Sequence, residues 1–109
     1  MTWGSGGERY LVRLTVPRRG GWRAWAAVRG TFERRLAGQG SDVVLAPRID
    51  RELRRGGDYV RVVVVATVVA DDVAEALDLA LWAFREAAGD DLAGWDTAAA
   101  SAEVQPADA

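Results

Sequence analysis

Two periodicities divide this chain. From Glu8 to Val16 every second residue is apolar: Tyr10, Val12, Leu14 and Val16 fall on one side, with Arg9, Leu11, Arg13 and Thr15 on the other. Period two predicts a β-strand with one apolar face, closed by Pro17. Arg18-Arg19-Gly20-Gly21 reads as a turn. From Trp22 to Ala37 the spacing becomes helical. Trp25, Val28, Phe32 and Leu36 lie on one stripe, with Arg23, Glu33 and Arg34 away from it. Gly38 and Gly40 give the stop signal. Gly30, inside that helix, weakens it by about 1 kcal/mol relative to alanine.

A second strand is predicted over Asp42–Leu53. Pro47 lies inside it and cannot donate to a ladder, so the strand is an edge strand or carries a bulge. Residues 54–58 form a hairpin turn into Tyr59–Val69, a strand with valine at both even and odd positions. The turn at Ala70-Asp71-Asp72 leads into a helix. Asp72 as N-cap and Glu75 three residues later resemble a capping box. Val73, Leu77, Ala80, Leu81, Phe84 and Ala88 form the stripe expected to be buried, and Gly89 ends the helix. Asp90–Gly94 is a loop or short helical turn. Trp95–Gln105 is a last, alanine-rich strand, which Pro106 closes. Residues 1–7 read as a flexible leader, 8–106 as one domain and 107–109 as a tail.

The order strand, helix, strand, strand, helix, strand resembles the split-βαβ, ferredoxin-like α/β plait. That resemblance implies an α+β domain with a four-stranded antiparallel sheet, order 4-1-3-2, and both helices on one face. The first and third strands are then central and the proline-bearing second strand is at an edge. A superfold of this kind hosts many unrelated functions.

The valine strand raises the functional question. If Val60, Val62, Val64, Ala66 and Val68 face the helices, Tyr59, Arg61, Val63, Val65, Thr67 and Val69 face away. Leu11, Arg9, Arg13 and Thr15 join them from the first strand, and Thr97, Ala99, Ser101 and Glu103 from the last. A half-solvated strand alternates with polar residues, and this one does not in its centre. Burying a valine is worth roughly 1.5–3 kcal/mol. Val63, Val65 and Val69 are therefore expected to need cover from outside the chain, as a sheet-to-sheet homodimer or a ligand pocket. Arg9, Arg13, Arg61 and Tyr59 would rim the patch and could hold a carboxylate or phosphate, or pair with acids such as Glu103. Trp82 is a second anomaly. It falls on the polar arc of its helix with Glu75, Asp78 and Glu86, where it is packed by a neighbouring segment or belongs to an interface.

Composition narrows the chemistry. The chain has 109 residues and no cysteine, histidine or lysine; all fourteen basic residues are arginine. A disulfide framework, thiolate chemistry, an imidazole shuttle and lysine Schiff bases are thereby excluded. Heavy use of Ala, Arg, Gly, Val and Asp resembles translation from a GC-rich genome, which is favoured over a functional cause for the missing lysine. No apolar run reaches the roughly 20 residues that span a bilayer, and residues 1–7 do not resemble a secretory signal, so a cytoplasmic protein is expected. The net charge of −2 is unevenly placed: thirteen arginines meet six acids in residues 1–61, and one meets ten in residues 62–109. The halves either neutralise each other or leave a basic surface for an anion.

Other motifs are weaker. Arg18-Arg19-Gly20-Gly21 lacks the spacing of a phosphate loop. Asp71-Asp72, and Asp90-Asp91 with Asp96, lack the spacing of a calcium loop, so no metal or cofactor is expected. Only Tyr59 offers a stacking platform on the sheet, which argues against nucleic acid. The expectation is a non-catalytic module that dimerises or binds a protein or small anion through its open sheet face. The alternative is a small dimeric plait-type enzyme acting on an apolar substrate, with Glu103, Tyr59, Asp58 or Asp96 as acid–base groups.

Overall fold

In the computed structural model, residues 7–54 and 59–107 are described. Residues 1–6, including Trp3, of the expected leader, residues 55–58 with Asp58 of the expected hairpin turn, and residues 108–109 lie outside them. Strands β1 (Glu8–Arg19), β2 (Val44–Arg54), β3 (Tyr59–Ala70) and β4 (Ser101–Pro106) form one antiparallel sheet in the order β2-β3-β1-β4. Helices α1 (Gly21–Ala37) and α2 (Val73–Ala88) pack on one side of it. This is the expected plait, with β1 and β3 central.

The core lies between that side of the sheet and the helices. Tyr10, Val12, Leu14 and Val16 of β1 and Val60, Val62, Val64, Ala66 and Val68 of β3 face inward, as their periodicity requires. Above them Trp25, Phe32, Phe84 and Trp95 meet mostly edge to face; the Phe84 and Trp95 ring centroids are 5.0 Å apart at 83°. Edge-to-face contact sets a positive ring edge against a negative ring face, and adds to the area these rings bury.

Several boundaries differ from expectation, each for a physical reason. β1 runs through Pro17 to Arg19, with Pro17 opposite Arg61. The Pro17 carbonyl accepts from Asp96 N–H on the β4 side, so its missing donor also faces that side. β4 pairs with β1 only as far as Thr15, and no ladder bond is lost. Pro47 sits in a bulge between Leu45 and Arg48, where Ala46 takes φ 50°, and β2 is indeed at an edge. The strand opens at Val44, because Ser41 Oγ accepts from the N–H groups of Val43 and Val44 and holds a turn there.

At the start of α2, Asp72 Oδ1 accepts from Glu75 N–H at 2.8 Å, and Glu75 Oε1 accepts from Asp71 N–H at 2.7 Å. The box thus closes one residue earlier than its usual form. Val73, expected in the buried stripe, is exposed. The buried residues of α2 are Ala76, Ala80, Ala83, Phe84, Ala87 and Ala88, while Leu77 and Leu81 are half-buried at the flank. Alanines let the helix axis approach the sheet, so the contact arc follows the small residues rather than the largest ones.

The last strand is also shorter than expected. Residues 95–100 are not in it: short 3-10 turns occupy Gly89–Gly94 and Thr97–Ala99, and Trp95 turns into the core. Thr97 and Ala99 therefore do not extend β4 on the open face. Among the described residues, no helix is long and apolar enough to cross a membrane.

Candidate functional site: the open sheet face

The register places the side chains of the uncovered face in rows across the four strands. Arg13 lies opposite Val65 and Glu103, and Val65 also opposite Arg48. Thr15 lies opposite Val63 and Ser101, and Val63 also opposite Arg51. Leu11 pairs with Thr67 and Gln105, Arg9 with Val69, Pro17 with Arg61, and Arg19 with Tyr59. Leu11, Arg9, Arg13, Tyr59, Arg61, Val63, Val65, Val69 and Glu103 thus share this face, as expected, and Trp82 stands on α2, away from it.

The central expectation requires correction. Val63 and Val65 are 2% and 3% exposed in the single chain, although neither belongs to the helix-side core. Their cross-strand neighbours on this face are Thr15, Arg13, Arg51 and Arg48. The Arg13 side chain is two-thirds covered, with its Nε out of solvent and without a hydrogen-bond partner. Long arginine stems lay methylenes over apolar surface while the guanidinium stays wet at its outer edge. The roughly 1.5–3 kcal/mol per valine is thus gained within the chain, and outside cover is not required. Leu11, Thr67 and Val69 are half-buried, and Tyr59 is exposed.

What remains at the surface is mostly charge, with exposed Tyr59 and Leu53 toward one end. Besides Arg19, which is tied to Asp96 and to backbone carbonyls, the face carries Arg9, Arg13, Arg48, Arg51 and Arg61 against Asp50 and Glu103. Asp50, in the second bulge of β2, is 3.9 Å from both Arg13 Nε and Arg51 Nε, and Glu103 is 3.7 Å from Arg13 Nη1. At such distances, and this exposed, ion pairs contribute little. Arg9, Arg48 and Arg61 make no ion pair among the described residues. Between Thr15, Pro17, Arg61, Ala99 and Ser101 the face dips into a depression of about 220 Å³.

Other expected chemistry is engaged in the fold. Asp96 pairs with Arg19, whose Nη1 also donates to the Ala93 and Trp95 carbonyls. Asp91 pairs with Arg18 at 3.1 Å. Both acids are partners of arginines rather than of each other, and among the described residues no three acids gather as a metal would require. Arg18 itself is buried, its guanidinium 5.5 Å from the Trp95 ring centre and packed on Gly94. The inward alternation 10, 12, 14, 16 continues to 18 once Pro17 is allowed inside the strand, and that continuation was the missed signal.

A half-buried polar group also went unread. Glu52, inward-facing on β2, accepts from Trp25 Nε1 at 3.1 Å and from Arg29 Nε at 2.6 Å. The bond to Glu52 holds the Arg29 guanidinium above its ordinary pKa, against the opposing effect of burial. Tyr10 donates to Glu8 Oε2 at 2.9 Å; that bond, aided by burial and nearby acids, raises the phenol pKa above the usual tyrosine value.

A more apolar cavity of about 340 Å³ opens on the helix side between α2 and the start of β4, with Leu77, Leu81, Phe84, Ala100 and Ala102 in its walls and Arg85 at its rim. No family model matches the chain, and neither the curated proteins nor the solved structures contain a significant match.

Proposed function

We propose that this protein is a non-catalytic interaction module, acting in the cytoplasm, whose open sheet face receives an anionic partner. The observation that carries the reading is the layer of five arginines facing two carboxylates above valines that are already sealed. A sealed floor removes the need for a greasy partner, and the surplus of guanidiniums favours carboxylates. Two such faces apposed by a two-fold axis would set arginine against arginine, so an acidic surface suits this face better than the same face of a second copy. Among the described residues, the candidate acid–base groups Glu103, Asp96 and Tyr59 form no constellation: Glu103 leans on Arg13, Asp96 on Arg19, and Tyr59 stands apart.

The test is binding of a fluorescent poly-glutamate peptide, followed by anisotropy at low and high salt. Arg9→Glu with Arg61→Glu is expected to weaken binding by about tenfold or more, because close charge pairs dominate such contacts. The control pair Arg23→Glu with Arg34→Glu, on the exposed side of α1, should change it by roughly twofold or less. Equal losses in both pairs would mean diffuse attraction, and the reading would fail.

A further inference from the structure

The outer arc of α2 carries three acids against one base, exposed Arg85. Glu75, Asp78 and Glu86 are exposed there and make no ion pair among the described residues. Trp82 stands between them at 56% exposure, the highest of the large hydrophobic residues described. The core closes without it. An indole left in water among acids is a poor choice for a helix that only packs on its own sheet, and tryptophan is enriched at the centres of interfaces.

The open sheet face offers a seat for that ring. The depression of about 220 Å³ is lined by Thr15, Pro17, Arg61, Ala99 and Ser101. Indole packs well on proline and alanine, and a guanidinium above it adds a cation–π attraction. The spacing of charges agrees. Asp78 and Glu86 lie one helical repeat either side of Trp82, about 12 Å apart along the axis at 1.5 Å per residue. Arg13 and Arg61 lie in sheet rows four residues apart, about 13 Å at 3.3 Å per residue, with the Thr15–Val63 row between them.

Resting on the reading of the sheet face as an anion-binding surface, we propose that one partner it takes is α2 of a second copy of this chain. Trp82 of one copy enters the Thr15–Pro17–Arg61 depression of the next, and its flanking acids meet Arg13 and Arg61. The two patches differ, so the contact is head-to-tail, and growth continues unless the rotation closes a ring.

Two singly blocked variants test this. Trp82→Ala removes the knob and leaves the sheet face whole; Arg61→Glu spoils the seat and leaves α2 whole. Both positions are exposed, and circular dichroism checks that each variant folds. In sedimentation velocity at low salt the wild type should gain mass with concentration, and each variant alone should associate about tenfold or more weakly. Mixed in equal amounts, the variants should form a 1:1 complex and nothing larger. A wild type that stays monomeric, a Trp82→Ala variant that associates like wild type, or a mixture that does not pair while wild type associates would each overturn the inference. Poly-glutamate binding measured on the same samples separates the two claims. If it persists and depends on Arg61 while self-association is absent, only the head-to-tail contact fails; if it too is absent, the reading of the sheet face fails with it.

Discussion

Val62 and Val64 lie beneath two helices, whereas Val63 and Val65, alternating with them along β3, lie on the face with no helix; all four are 0–4% exposed. The helix side achieves this with interlocked rings and alanines, and the cover is rigid. The open side achieves it with no helix above, among cross-strand neighbours that include Thr15 and the two-thirds-covered Arg13. The difference teaches that a second apolar face does not by itself call for a second molecule. It also leaves the two surfaces with opposite uses. One is closed and contributes stability; the other is sealed below and charged above, which suits reversible electrostatic contact.

The largest effect should come from the rigid side. Phe84→Ala removes a ring packed against Phe32 and Trp95 and should cost about 3–5 kcal/mol in urea unfolding. A loss below about 1 kcal/mol would show that the helix side is no firmer than the open one. Gly94→Ala comes next. A Cβ there would sit 1.5 Å from Arg18 Nη1, and the guanidinium cannot swing aside without leaving Asp91 and the Trp95 ring. Overpacking of this kind costs about 1–3 kcal/mol; an unchanged unfolding midpoint would mean that Arg18 is not held in place.

A smaller effect addresses the arginine layer directly. Arg13→Ala strips a stem from beside Val65 and should cost about 1 kcal/mol, while Arg13→Met keeps an apolar stem and should restore most of that loss. Equal losses in both variants would assign the effect to the ion pairs with Asp50 and Glu103 instead of to covered valine. The smallest effect is in pH. Because folding raises the Tyr10 pKa, the folded state holds its phenolic proton more tightly. That contribution is fully present below the unfolded tyrosine value of about 10 and is lost as pH rises from there through the folded value. Tyr10→Phe should flatten this part of the stability–pH curve, and an unaltered slope would leave Glu8 without the role assigned to it.

Much of this architecture was readable residue by residue. The alternation in β1, the helical stripe Trp25–Phe32–Leu36, the Asp72–Glu75 cap and the proline in β2 are local patterns. Each reports a repeat or a missing donor that the chain cannot hide, and together they specify the plait and its strand order. The placement of Trp82 on an outer arc was legible for the same reason, since a helical angle needs only sequence spacing.

Local pattern did not extend to contacts between distant segments. Whether Val63 and Val65 stay wet depends on which cross-strand neighbours fall beside them once register and bulges are set. A bulge moves every later side chain to the other face, and no periodicity states its position. The turn of Trp95 into the core, the burial of Arg18 against Asp91 and the tie of Glu52 to Trp25 and Arg29 likewise join residues far apart in the chain. Sequence spacing alone determined which residues could face together. The tertiary structure decided which of those faces were already covered, because coverage is a property of neighbours that only folding brings within reach.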